Sequence, residues 1–137
     1  MIINGNNFAN SIQGSAQSDI INGGAGNDEL LGGGAADTFL FSHSGQKHAD
    51  FILDYQAGID RIAIDAAAFG LTAGQAFSYV EGAKAPAALP TFLRQGSAGT
   101  AQRILFDPDG TGPARAGMIC HFNPFAGRTT AADFAIL

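Results

Sequence analysis

Glycine recurs every nine residues through the first forty positions, and this period constrains the fold more than any other feature of the chain. Counted from residue 5, the sequence divides into the blocks GNNFANSIQ, GSAQSDIIN, GGAGNDELL and GGGAADTFL. The first column of the blocks holds Gly5, Gly14, Gly23 and Gly32, the sixth holds Asn10, Asp19, Asp28 and Asp37, and the eighth holds Ile12, Ile21, Leu30 and Phe39. A flexible Gly/Ser/Asn linker has no reason to keep three columns in phase. The period therefore predicts a solenoid with one inward apolar side chain per block.

The residue types within each block predict a site for a hard cation. Glycine permits positive φ and close backbone approach, so main-chain carbonyl groups can converge on one point. The carboxylate in the sixth column adds an anionic oxygen, and carbonyl and carboxylate oxygens are the ligands that Ca²⁺ prefers. Residues 1–42 contain no His or Cys, which argues against zinc or copper there. The repeat therefore predicts calcium as the cofactor.

The charge of the chain restricts its partners. Twelve acidic and seven basic residues give a formal net charge of −5, and Lys47 is the first basic residue. Such a surface repels nucleic acid and anionic membranes, so neither is an expected partner. No apolar run is long enough to insert into a membrane. The 46% of apolar residues suffice for a core, and the single cysteine excludes an internal disulfide.

The blocks resemble the RTX (repeat-in-toxin, haemolysin-type) calcium-binding nonapeptide GGxGxDxUx, in which U is apolar. The block GGAGNDELL matches every fixed position, and GGGAADTFL departs only at Ala35. The first two blocks keep fewer of the fixed residues. The resemblance implies a short parallel β-roll, a form of parallel β-helix, in which two blocks make one coil. It also implies that turns on the same side, eighteen residues apart, hold an ion between them.

Two calcium sites follow from this implied pairing of turns. The first set of ligands is Asp19 and Asp37 with the carbonyl groups of Gly14, Ala16, Gly33 and Ala35. The second set is Asn10 and Asp28 with the carbonyl groups of Gly5, Asn7, Gly24 and Gly26. The second site has one charge fewer, so we expect it to bind more weakly. Two coils bury too little surface to offset their chain entropy, so metal binding is expected to complete the folding of the roll.

Residues 42–137 have a different pattern, with short apolar strands separated by Gly- and Pro-containing turns. The expected strands are Phe51–Leu53, Arg61–Ile64, Ala76–Val80, Thr91–Gln95, Arg103–Phe106 and Gly117–Phe122. Residues 106–112 (FDPDGTG) predict a hairpin turn, and further loops are expected near 82–90 and 107–113. We therefore predict an all-β protein with two parts: a β-roll of about two coils over residues 1–41, and an antiparallel, β-sandwich-like cap over residues 42–137.

The segment DFILDYQAGIDRIAID also resembles the region that follows the repeats in serralysin-type C-terminal domains. By that resemblance Asp50 and Asp54 are further candidate calcium ligands, which would add one ion at the cap. They are equally compatible with a role as ordinary turn residues.

The last residues of the chain resemble the uncleaved type I secretion signal of serralysin-like proteins, an acid followed by apolar residues. In this chain they are Asp133, Phe134, Ala135, Ile136 and Leu137. The resemblance implies a secreted, extracellular protein without an N-terminal signal peptide, and a type I secretion transporter as a partner. An ordinary last strand is the alternative interpretation, and both can hold.

The sequence indicates a non-catalytic module. The motifs HExxH, GxSxG, Walker A and GxGxxG are all absent. The first hypothesis for its function is the C-terminal folding and secretion domain of a larger type I secreted protein. The alternative is a Ca²⁺-dependent accessory module for polysaccharide or surface attachment. At the N-terminal end of the roll, an upstream domain or a second copy is a candidate partner.

Overall fold

The structure is a computed structural model and describes residues 1–82, 89–96, 101–110, 116–123 and 126–137. Its strands are β1 Ile2–Asn6, β2 Ser11–Gln13, β3 Ile20–Gly24, β4 Glu29–Leu31, β5 Thr38–Phe41, β6 Asp50–Ile52, β7 Arg61–Ile64, β8 Ser78–Glu81, β9 Thr91–Gln95, β10 Gln102–Asp107, β11 Gly117–Phe122 and β12 Phe134–Ile136. The helical segments of the described chain are three single 3-10 turns, at Gln46–His48, Ala67–Phe69 and Ala131–Asp133. None of them approaches the length and apolarity of a membrane-spanning helix. The predicted all-β class is confirmed.

The four blocks wind into a parallel β-roll, as the nine-residue period predicts. In the first sheet Ile2 pairs with Ile20, and Ile20 pairs with Thr38, always in parallel. In the second sheet Ser11 pairs with Glu29, again in parallel. Partners lie eighteen residues apart because each coil consumes two blocks, so equivalent columns stack directly on one another.

Both sheets continue past residue 41, the predicted end of the roll. Strand β5 pairs in parallel with β7, where Thr38 faces Arg61, and β4 pairs in parallel with β6, where Glu29 faces Phe51. The offset grows from 18 to 23 and 22 residues because the connecting turns are longer here. A third coil therefore follows the repeats without a break in either sheet.

The cap extends the same two sheets rather than forming a separate sandwich. The first sheet has the order β1-β3-β5-β7-β12, and the second has the order β2-β4-β6-β11-β10-β9-β8. Strands β9, β10 and β11 pair with one another in antiparallel fashion, whereas β8 joins β9, β11 joins β6 and β12 joins β7 in parallel. The predicted hairpin and loops reach into residues 83–88 and 111–115, which lie outside the described residues.

The core lies between the two sheets and becomes tighter toward the cap. Ile3 and Ile12 are only partly buried, whereas the eighth-column side chains from Ile21 onward are fully buried. In the cap, Phe92 packs against Phe106 and against Phe134, at ring-centroid distances of 4.8 and 4.7 Å. The open end of the roll therefore relies least on packing, because its side chains have a neighbouring coil on one side only.

Candidate metal centre

Carboxylates of the sixth column stack along one side of the roll and continue into the third coil. The main-chain N–H of Asp19 donates to Asp37 Oδ1 at 2.8 Å, and the N–H of Asp37 donates to Asp60 Oδ1 at 3.0 Å. Next to these, the N–H of Gly58 donates to Asp133 Oδ1 at 2.7 Å. All four side chains are buried. The result is a continuous row of carboxylates between stacked turns.

The opposite side of the roll carries a second row with the same geometry. The N–H of Asn10 donates to Asp28 Oδ1 at 2.7 Å, and the N–H of Asp28 donates to Asp50 Oδ1 at 3.0 Å. Asp28 and Asp50 are 1% and 2% exposed. In the described part of the chain, neither has a basic side chain as an ion-pair partner. Buried charges in proteins are paired or bind metal, so this row requires a cation or a proton.

The turns of the third and fourth blocks have the open backbone conformation that the RTX pattern predicts. Positive φ occurs at Gly24 (95°), Gly26 (121°) and Gly33 (99°). It also occurs at Ala35 (67°), the only non-glycine residue with a positive φ in the described part of the chain. Ala35, the one residue of the fourth block that departs from the RTX pattern, thus keeps the positive φ of the glycine that it replaces, at a cost in backbone strain. In these two turns Asp28 Oδ2 is buried without a hydrogen-bond partner, and Asp37 lines a cleft of about 370 Å³.

The turns of the first two blocks are closed by their own side chains. Asn10 Oδ1 accepts from the N–H of Asn6, and its Nδ2 group donates to Asn6 Oδ1. Asp19 Oδ2 accepts from both the N–H and the hydroxyl of Ser15, at 2.7 and 2.8 Å. The hydrogen bond from the Ser15 N–H, together with the amino terminus of Met1, lowers the pKa of Asp19 to about 2. Asn10 is thus satisfied within its own turn, whereas Asp19 Oδ1 is buried without a hydrogen bond and lies 2.9 Å from the amino group of Met1.

Glycine in the first column is required by space rather than by φ. A Cβ at Gly23 would collide with Asp28 Oδ2, and a Cβ at Gly32 would collide with Asp37 Oδ2. Neither glycine has a positive φ. Glycine therefore allows each sixth-column carboxylate to pack closely against the backbone of the first column.

The predicted carbonyl ligands lie in the turns, where oxygens remain available. Among the described residues, the main-chain carbonyl groups of Asn7, Ala16, Gly26, Gly33 and Ala35 accept no hydrogen bond. Gly5 and Gly24 are strand residues, and Gly14 directly follows β2. In the described part of the chain, no three His, Cys, Asp or Glu side chains lie close enough together to hold a metal ion by themselves. A site here therefore depends on carbonyl groups plus one or two carboxylates, a donor set that fits Ca²⁺.

The two further candidate ligands differ in their surroundings. Both oxygens of Asp54 accept main-chain hydrogen bonds, from Gly32 at 2.8 Å and from Gly33 at 2.7 Å. Asp54 thus binds the main chain at the start of the fourth-block turn with both of its carboxylate oxygens. Asp50 continues the buried row beside Asp28. Of the two, Asp50 is the one placed to contact an ion.

Sequence reasoning placed Asp60 behind Asp50 and Asp54 as a calcium ligand and gave Asp133 only an export role, although both belong to the first row. The N–H of Asp37 reaches Asp60 across 23 residues, and the N–H of Gly58 reaches Asp133 across 75. The local signal for Asp60 was the apolar Ile62 two places later, which repeats the spacing of the sixth and eighth columns. No local signal exists for Asp133, because its partner is distant in sequence.

Burial raises the pKa of Asp50 to about 8, and the neighbouring charge of Asp28 adds to the effect. Burial likewise raises the pKa of Asp37 and Asp60. A carboxyl group with a raised pKa binds more protons in the folded state than in the unfolded state. Its stabilising contribution is therefore complete below the ordinary pKa of 3.8 and is lost as the pH rises through about 8.

We therefore expect the calcium-free protein to lose thermal stability between about pH 5 and about pH 8, whereas the calcium-saturated protein loses less. Melting temperatures over this range, with EDTA and with Ca²⁺, measure the effect. Asp50→Asn should flatten the calcium-free profile, whereas Asp65→Asn, at a local turn beside Ala67, should leave its slope unchanged. A thermal stability of the calcium-free protein that rises with pH would contradict a raised pKa for these buried carboxyl groups.

The fold and the turns together define a class of protein, a parallel β-roll with buried carboxylates and positive-φ glycines in its turns. Residues 4–39 match the family model for the RTX calcium-binding nonapeptide repeat in four copies. This part of the chain is therefore an array of RTX calcium-binding repeats, and the resemblance read from the nine-residue period is confirmed.

A solved structure supports the same architecture for nearly the whole chain. The chain is similar to the solution structure of the AlgE6R3 subunit from the Azotobacter vinelandii mannuronan C5-epimerase, with a TM-score of 0.56 and 21% sequence identity. The match covers 94% of this chain and 78% of that chain. At this level of identity the likeness shows the fold alone. No curated protein shows significant sequence similarity to this chain.

Proposed function

We propose that this protein is a calcium-binding module that folds when Ca²⁺ binds outside the cell, and that it is the non-catalytic, C-terminal folding and secretion domain of a type I secreted protein. The observation that carries the calcium-dependent part is Asp28 Oδ2, a buried carboxylate oxygen without a hydrogen-bond partner. On the other side of the roll, Asp37 lines a cleft of about 370 Å³, and Asp19 Oδ1 is also buried without a hydrogen bond. Bound Ca²⁺ would supply the positive charge that the buried carboxylates lack.

Two ions in the roll match the two open turns. Asp28 keeps an unpartnered oxygen, Asp37 lines a cleft, and the carbonyl groups of Gly26, Gly33 and Ala35 in the same turns accept no hydrogen bond among the described residues. The closed turns of the first two blocks support weaker metal contacts, because Asn10 and Asp19 already have partners. The chain entropy of the glycine-rich coils, at roughly 1–2 kcal/mol per residue, opposes their folding. Metal binding offsets this term only in the folded roll, so binding and folding are coupled.

The open end of the roll offers an exposed surface on which a further partner could bind. Strands β1 and β2 are the outer strands of their sheets, and Ile2 and Phe8 are 69% and 76% exposed. An upstream domain or a second copy of the chain would cover these strands and side chains.

The export part of the proposal rests on the C-terminal segment. Asp133 is buried, with Oδ1 bound to the N–H of Gly58 and Oδ2 bound to the N–H of Thr130. Phe134–Ile136 forms strand β12 in the first sheet. The segment is accessible to a transporter only before folding. Scarce calcium in the cytosol would keep the roll unfolded for export, and abundant calcium outside would fold it.

Deletion of Asp133–Leu137 is expected to abolish export through a type I transporter, because the signal itself is removed. Secreted and intracellular protein are compared by immunoblot in cells that carry the transporter. The control is Ile62→Ala, since Ile62 is fully buried and pairs with Phe134 but lies outside the signal. This variant loses stability in the same sheet yet should be exported. Equal export of the deletion variant and the full chain would contradict the role of the segment.

The second candidate function is a Ca²⁺-dependent accessory module for polysaccharide or surface attachment. The observation that favours it is the extended match in fold to a subunit of a mannuronan C5-epimerase. Binding of uronate oligosaccharides by the calcium-loaded protein, measured by calorimetry, would favour this candidate. Calcium-coupled folding without any oligosaccharide binding would leave the folding and secretion role.

A further inference from the structure

The outer face of the second sheet carries a row of side chains that belongs to neither carboxylate row. Across strands β9, β10, β11 and β6 the paired residues are Gln95, Arg103, His121 and Phe51. Residues directly opposite each other on paired strands point to the same face of a sheet. Ile104, which follows Arg103 in β10, is fully buried in the core. Successive side chains alternate between the two faces, so the row with Arg103 faces outward.

A groove follows this row on the protein surface. One cavity of about 480 Å³ is lined by residues that include Gln46, Arg103, Met118 and His121. An adjoining cavity of about 220 Å³ shares Gln46, Arg103 and Met118 with the first, and Gln95 also lines it. The two cavities therefore form one continuous groove. Its size is in the range of small-ligand sites, which is about 300–1,000 Å³.

The charge of the groove is opposite to the charge of the whole chain. Arg103 is the only charged side chain among the described residues that line it. Arg103 is exposed, and within the described part of the chain it forms no ion pair. Burial and the charge of Arg103 lower the pKa of His121, so the imidazole is neutral at pH 7. The groove thus offers one positive charge in a protein of net charge −5, which favours an anionic ligand.

The neutral groups of the groove suit a ligand that carries hydroxyl groups. The amides of Gln46 and Gln95 can both donate and accept hydrogen bonds. His121 Nδ1 is buried without a hydrogen-bond partner, and the imidazole stacks on Phe51 at a ring-centroid distance of 4.8 Å and an angle of 9°. Met118 adds an apolar surface for carbon atoms of a sugar ring. We propose that this groove binds a carboxylated sugar, a uronate, whose carboxylate is held by Arg103.

The sheet order argues against an acidic peptide as the ligand. Strands β9, β10 and β11 all lie inside the second sheet, with a neighbouring strand on each side. A peptide therefore cannot add to them as a further strand, and only side chains remain to hold it. Nucleic acid is repelled by the net charge of −5. The inference rests on the second candidate function, polysaccharide attachment, and gives it a site.

Calorimetric titration of the full, calcium-loaded chain with a short oligomannuronate tests the site. Arg103→Gln removes the charge but keeps hydrogen-bond donors, and we expect it to weaken binding by roughly ten- to hundredfold. The matched control is Arg128→Gln, which removes the same charge from a side chain that is 73% exposed and outside the groove. This control should bind within about twofold of the unaltered chain. An unchanged affinity in Arg103→Gln would overturn the site and leave polysaccharide attachment standing.

Two further ligands and one further measurement separate the remaining outcomes. An uncharged manno-oligosaccharide of equal length and a poly-glutamate peptide should each bind at least about tenfold more weakly than the oligomannuronate. Equal binding of either would overturn recognition of a carboxylated sugar. In amide NMR of the unaltered chain, oligomannuronate should shift the signals of Gln46, Gln95, Arg103 and His121, but not those of Ile21 and Phe39 in the first sheet. Absence of any oligomannuronate binding would overturn the second candidate function itself, so the two failures are distinguishable.

Discussion

Removal of Ca²⁺ with EDTA at about pH 8, where the pH-dependent stabilisation by Asp50 is being lost, is expected to unfold the roll while the cap keeps most of its structure. Without the ion, the buried carboxylates repel each other, and the glycine-rich coils no longer recover their chain entropy. The coils bury few side chains, since Ile3 and Ile12 are only partly covered. The cap has its own aromatic core around Phe92 and Phe106.

Hydrogen exchange and circular dichroism measure this effect residue by residue and for the whole chain. Amides of Ile21 and Phe39 should be protected by at least about a hundredfold more with Ca²⁺ than with EDTA, which corresponds to a local stabilisation of roughly 3 kcal/mol. Amides of Leu93 and Ile104 in the cap should change far less. Mg²⁺ at the same concentration is the control and should not restore protection, because it demands a tighter octahedral geometry. Full protection of Ile21 in EDTA would mean that calcium binds a preformed scaffold.

Gly32→Ala is expected to disrupt the fourth-block turn, whereas Gly34→Ala in the same turn is tolerated. A Cβ at position 32 would collide with Asp37 Oδ2 and would also lie 3.1 Å from Phe39 Cζ. A Cβ at position 34 would meet Ala16 O at 3.3 Å and nothing closer. Neither glycine has a positive φ, so the pair compares space alone.

We expect Gly32→Ala to destabilise the calcium-loaded protein by about 1–3 kcal/mol and to weaken calcium binding, because Asp37 must move. Gly34→Ala should cost less than about 1 kcal/mol. Urea denaturation in saturating Ca²⁺, together with calcium titration, gives both quantities. Equal stability of the two variants would show that the first glycine column is not needed to keep space beside the carboxylate.

The sequence predicted the elements that depend on local spacing. The columns of Ile21, Leu30 and Phe39 specified an inward side chain per block, and the parallel roll confirms them. In the cap, the expected strands Arg61–Ile64 and Thr91–Gln95 coincide with β7 and β9. Alternation and turn residues act within a few positions, so a sequence pattern carries this information directly.

The nine-residue period could not predict the connections that lead into the third coil. Longer turns before β6 and β7 shift the offset from 18 to 22 and 23 residues, so counting in nines stops at residue 41. The sheets nevertheless continue, because strand pairing depends on the buried columns and not on the length of the turn between them. Asp50 was a candidate from resemblance, but only the stacked turns place it against Asp28.

The sequence by itself determined the roll, its carboxylates and the need for a cation, because these follow from a repeated local pattern of glycine, acid and apolar residues. Only the tertiary structure decided which turns are open. The side chains of Asn6 and Ser15 accept or donate hydrogen bonds within the first two turns, whereas Asp28 keeps an unpartnered buried oxygen and Asp37 lines a cleft. It also decided that Asp133, 75 residues from Gly58, completes a row that begins in the repeats. Such partners are set by how sheets stack in space, and that stacking joins residues that no local spacing relates.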